Sequence, residues 1–84
     1  MNHTELWRHL KAIYNLRHWM WGQQLPNEFT LRQFRDLLPA RLRNCTKSDL
    51  IAALQREGYR SEINKMNDGL KIWRLASKSW RIYR

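Results

Sequence analysis

TKSDLIAALQREGYRSEINKMNDGLKIWRLA, residues 46–76, changes its apolar period from helical to alternating at Gly58. Thr46 offers a side-chain oxygen to the start of a helix, and Asp49 places a carboxylate in its first turn. Leu50, Ile51 and Leu54 then give the helix a buried side, and Gly58 closes it. At 100° per residue, Ser48, Ala52, Gln55 and Arg56 point the other way, so the outer face is small and polar. From Tyr59 the pattern alternates. Tyr59–Met66 and Leu70–Ala76 read as strands, with a hairpin turn at Asn67-Asp68-Gly69. A three-residue loop puts Ile63, Trp73 and Leu75 on one face. A two-residue Asp-Gly turn instead groups Ile63 with Leu70 and Ile72. The first register is preferred because it buries the tryptophan, although it leaves Met66, Leu70 and Ile72 on the other face.

Upstream, Thr30 is followed three residues later by Gln33, a capping-box pattern that starts another helix. Leu31, Phe34, Leu37 and Leu38 are its apolar side, and Pro39 ends it. Ala40–Cys45 is a basic connection carrying Arg41 and Arg43. Before Thr30, Glu28-Phe29-Thr30 reads as a short extended piece. The first helix is expected to begin at a Thr4 cap and stop at Gly22. Its stripe is Leu6, Trp7, Leu10, Ile13, Tyr14, Met20 and Trp21, with Arg8, Lys11, Asn15 and His18 off it. On this reading Trp7, Trp21 and Trp73 belong to the core.

The 84 residues make a single domain, 1–84, ending in a basic and aromatic tail, 77–84. Sixteen Lys and Arg against seven Asp and Glu give a formal charge of +9, which favours polyanionic partners. No acid follows Asp68, whereas Lys71, Arg74, Lys78, Arg81 and Arg84 do. No apolar run approaches the roughly 18 residues of a membrane span. The start, MNHTELWRHL, lacks the pattern of a signal peptide, so a cytoplasmic location without a membrane partner is expected. The lone Cys45 excludes an internal disulfide, and His3, His9 and His18 lack metal-ligand spacing. Neither a phosphate-binding glycine loop nor paired carboxylates for acid–base work are present. The chain therefore reads as a non-enzymatic protein that needs neither metal nor cofactor.

Helix, short extended piece, helix, turn, helix and two-stranded hairpin is an order that resembles the winged helix-turn-helix superfamily of DNA-binding domains. The resemblance rests on residues Phe29 to Leu75: FTLRQFRDLL as the helix before recognition, TKSDLIAALQREGY as the recognition helix, and RSEINKM-NDG-LKIWRLA as the wing. It implies an α+β fold of three helices and a two-stranded wing, with double-stranded DNA as partner. Thr46, Lys47 and Ser48 would then meet a phosphate at the helix start. Ser48, Ala52 and Gln55 would face base edges, Gln55 reading adenine and Ala52 a thymine methyl, with Arg56 on a flanking phosphate or base. Lys65, Asn67 and Lys71 would clamp the backbone, joined by Arg43, Arg74, Lys78, Arg81 and Arg84. Asp68 at the wing tip and Asp49 beside Ser48 are acids that sit poorly with such a surface. The role implied is a regulator or replication accessory of a phage or mobile element. The competing expectation is a module that binds a host protein, anchored by Trp19 or Trp80. A homodimer seeded by Leu16 and Trp19 is also allowed.

Overall fold

The computed structural model describes residues 2–63 and 71–75. The elements are α1 (His3–Trp21), β1 (Glu28–Phe29), α2 (Leu31–Leu37), a 3-10 turn (Ala40–Leu42), α3 (Lys47–Arg56), β2 (Tyr59–Ile63) and β3 (Lys71–Leu75). The protein is thus mixed α+β, with three α-helices and a three-stranded antiparallel sheet. Among the described residues no helix is long and apolar enough to cross a membrane.

Both central helices start where their side chains satisfy the first free N–H groups. The Gln33 N–H donates to Thr30 Oγ1 at 3.1 Å, and the Thr30 N–H donates to Gln33 Oε1 at 2.9 Å. At α3 the Asp49 N–H donates to Thr46 Oγ1 at 3.1 Å, and the Thr46 N–H returns to Asp49 Oδ2 at 3.0 Å. Leu38, held extended before Pro39, ends α2. Gly58 leaves α3 at φ +92°, a left-handed backbone that a side chain would strain. Phe34, Leu38, Leu50, Ala53 and Leu54 are all nearly or fully buried. Leu37 and Ile51, expected on the apolar sides, are respectively exposed and half-buried.

The first helix turns a different face inward from the one its periodicity suggests. Asn2, not Thr4, caps it, its Oδ1 accepting the Glu5 N–H at 2.8 Å. Ile13, Leu16 and Met20 are the buried residues of α1, Leu16 completely. Trp7, Tyr14 and Trp21 are 70%, 62% and 60% exposed, and Leu6 and Leu10 are exposed too. The reason is polar. His9 and Arg17 complete the inward face, and each reaches an acid at the opposite helix: His9 Nδ1 bonds Asp49 Oδ1, and Arg17 Nε donates to Glu57 Oε2 at 2.6 Å. The two pairs hold α1 and α3 side by side, start to start and end to end. A stripe with two charged positions does not look apolar, so the more apolar outer stripe draws the eye.

The sheet has the order β1-β3-β2. The two-stranded hairpin expected from the sequence is therefore joined by a third strand, Glu28–Phe29, which pairs with β3 through Glu28↔Arg74 and Phe29↔Trp73. Apolar packing explains the recruitment: Phe29 is almost wholly buried and stacks on Phe34 at 5.4 Å between ring centroids. Trp73, also buried, belongs to the same core. Arg74 adds a tie across all three strands, bonding Glu28 on one side and Glu62 at 2.8 Å on the other. The β2–β3 register pairs Ser61 with Trp73 and Ile63 with Lys71. A three-residue loop at 67–69 would have paired Ile63 with Trp73. The register is therefore slid by two residues from that expectation, with Trp73 and Leu75 on one side of β3. Ile72, on the other side, is also buried, outside the main core. The turn at Asn67-Asp68-Gly69 and the tail 77–84 lie outside the described residues.

Asp49 ties α3 to its own cap and to α1 at once. Asp49→Ala is expected to lower stability by about 1–2 kcal/mol, since a cap is lost and His9 is left without its partner. Urea unfolding followed by circular dichroism measures this; Ser48→Ala, one residue away on the exposed side, should leave the midpoint unchanged.

Candidate nucleic-acid interface

The outer side of α3 presents Lys47, Ser48, Gln55 and Arg56 exposed, with Ala52 half-buried among them. This is the face the helical period predicts. Asp49, next to Ser48 in sequence, is only 6% exposed and turned inward onto Thr46 and His9. The acid that sat poorly beside a phosphate-facing helix is thus withdrawn from that surface. The same arrangement revises Thr46. Its hydroxyl oxygen takes the Asp49 N–H, and the Asp49 carboxylate sits at the helix start. The chain's own anion fills the place where a phosphate was expected to meet Thr46.

Cations gather on either side of that helix end, Arg35 among them donating to the Cys45 carbonyl at 3.4 Å. One groove, about 430 Å³, lies between the start of α2, the outer side of α3 and β3. Its floor is Leu31, Ile51 and Trp73, and Arg32, Lys47 and Lys71 stand around it. Arg35 extends this group beside Leu31, Arg32 and Lys47. A second groove, about 260 Å³, separates α1 from the 3-10 turn; Arg8, Lys11 and Arg41 line it with Asn15 and Asn44. Among the described residues lining these grooves the only carboxylate is the withdrawn Asp49. Charges spaced within about 8 Å act together at physiological salt. An apolar floor ringed by cations suits a sugar–phosphate chain, which carries both characters.

The acids elsewhere are concentrated on few cations. Arg74 holds both Glu28 and Glu62, so it is a sheet tie, not the free nucleic-acid contact expected of it. Arg43 is likewise engaged: its Nε donates to the Leu38 carbonyl at 3.1 Å, closing the end of α2. Lys71 remains exposed at the groove. Trp19, expected as a partner anchor, is half-buried and packs edge-on against Phe34 at 6.2 Å. Leu16 is fully buried and so cannot start a self-contact. Lys65, Asn67, Lys78, Trp80, Arg81 and Arg84 lie outside the described residues. Arg8, Lys11, Arg32, Arg35 and Arg41 were missed in sequence. Each reads there as an ordinary solvated charge, and only the packing of α1, α2 and the 3-10 turn around α3 brings them together.

Cys45 lines the second groove, half-buried. Burial chiefly, and the Asp49 carboxylate second, push its thiol above the ordinary range, with Arg35 pulling the other way. It is thus held as the unreactive thiol. Alkylation of the native protein by iodoacetamide at pH 8 should be slower than that of free cysteine. The rate should keep rising past the pH at which free cysteine levels off, and mass spectrometry of the modified chain measures both.

In comparisons with known proteins, no family model, curated protein or solved structure matches the chain.

Proposed function

We propose that the protein binds double-stranded DNA as a small winged-helix domain, with α3 in the major groove and the cations around it on the phosphates. The observation that carries this reading is the cation shell about the start of α3. Arg32, Arg35, Lys47 and Lys71 lie on one side and Arg8, Lys11 and Arg41 on the other, while the acid between them is turned inward. The order of elements supports it as well. Helix, strand, helix, turn, helix and two further strands follow the order of that superfamily.

On this reading capture and recognition fall to different residues. The cations supply attraction that is blind to sequence and displace counterions from the duplex. Exposed Ser48 and Gln55, with Ala52 between them, face the base edges, where Gln55 can pair with adenine through its two amide groups. Lys47 and Arg56 flank this reading face on the same helix and meet the backbone. Lys71 reaches the backbone from β3.

Fluorescence anisotropy with a labelled duplex, titrated with salt, tests the proposal. The wild type should bind with a steep log–log salt dependence. Arg32→Gln and Lys47→Gln should each flatten the slope by about 0.9, the loss of one phosphate contact, and weaken all sequences alike. Gln55→Ala should leave the slope unchanged and cost about 1–3 kcal/mol on a selected site alone. No binding at about 50 mM salt, where phosphate contacts dominate, would overturn it.

A further inference from the structure

Among the described residues, five of the six exposed large hydrophobic side chains lie on the outer face of α1. Trp7, Leu10, Tyr14 and Trp21 recur at the three- and four-residue steps of one helical seam, with Leu6 beside them. All five are exposed, the three aromatics by 60% or more. Arg17, on the flank between this face and the inward one, has its charge met by Glu57, and its guanidinium lies 5.6 Å from the Trp21 ring centre. His18 stacks against Tyr14 at 6.0 Å and lies beside Trp21 at 5.9 Å. The Trp21 indole N–H donates to Glu57 Oε1 at 2.7 Å. Tyr14 and Trp21 are therefore held in place before any partner arrives, which lowers the ordering cost of association.

We infer that this face pairs with the same face of a second copy of the chain, α1 against α1. Two features single out a second copy. The first is area. With about 150–250 Å² per fully covered aromatic, the five exposed side chains offer about 600 Å² per chain, close to the ~800 Å² per partner of a stable interface. The second is symmetry. Trp7 and Trp21 each stand seven residues from Tyr14, so the three aromatics are evenly spaced about it. Two copies related by a two-fold axis at Tyr14 bring Tyr14 against its own copy and Trp7 against the partner's Trp21, a self-complementary contact. Arg8 and Lys11 belong to the groove facing the 3-10 turn, away from the centre of the seam.

Sedimentation equilibrium on the full chain, without nucleic acid, tests this independently of DNA binding. The wild type should be dimeric at about 100 μM. Trp7→Glu and Tyr14→Glu, both at exposed positions, should each raise the dimer dissociation constant at least tenfold while keeping the wild-type circular dichroism. A wild-type monomer at that concentration, or a dimer that survives both substitutions, overturns the inference. If either variant fails to fold, Tyr14→Cys in a Cys45→Ser background decides. A disulfide-linked dimer on mild oxidation supports the two-fold at Tyr14, and its absence overturns it.

Discussion

The Asp49 carboxylate meets two demands at one point. One oxygen takes the Thr46 N–H and fixes where α3 begins; the other takes His9 and fixes how α1 lies against α3. A charge with almost no exposure is tolerable only when its lone pairs are filled, and here both oxygens have partners. Eight residues further on, Glu57 does the corresponding work for Arg17 and Trp21 at the other end of the helix. These two acids set the helix pair, the helix pair sets which side of α3 is outermost, and the outermost side carries the residues assigned to DNA. They also remove negative charge from the surface where positive charge collects.

Local signals in the sequence were legible where the chemistry was local. The capping box at Thr30, the cap at Thr46 and the stops at Pro39 and Gly58 depend on neighbours within a few residues, and all four stand as read. The outward set of α3 was legible for the same reason. What failed was long-range. The inward face of α1 contains His9 and Arg17, which are core-facing only because acids forty residues away receive them. Without those acids in view, Leu6, Trp7, Leu10, Tyr14 and Trp21 form the better apolar stripe. A hint was present: positions 9 and 17 carry hydrogen-bonding side chains, His9 and Arg17, at the same eight-residue interval as the acids at 49 and 57. The strand at Glu28–Phe29 was too short to be recognised as a sheet member, because its partner lies at 73–74.

The surface charge divides in a similar way. Counting lysines and arginines locates a basic protein but not its basic face. Arg74 and Arg43 look like the cations of a binding surface and are instead occupied by two carboxylates and a carbonyl. Arg8, Arg32 and Arg41 look incidental and converge on the start of α3 from three elements. Because one arginine takes two glutamates across the sheet, more of the remaining cations are left without acidic neighbours.

The central place of β3 has a consequence in time. A ribosome delivers α1, β1, α2 and α3 before residues 71–75 exist, yet β3 is the strand that β1 and β2 both require. At about 5–20 residues per second, seconds pass between the emergence of Phe29 and that of Trp73, its partner across the sheet. During that interval the helices can assemble through Asp49 and Glu57, but the aromatic layer stays open on one edge. The nascent chain thus passes through an incomplete state whose hydrophobic edge is closed by β3, and early termination before Lys71 would leave that edge to whatever the cell offers it.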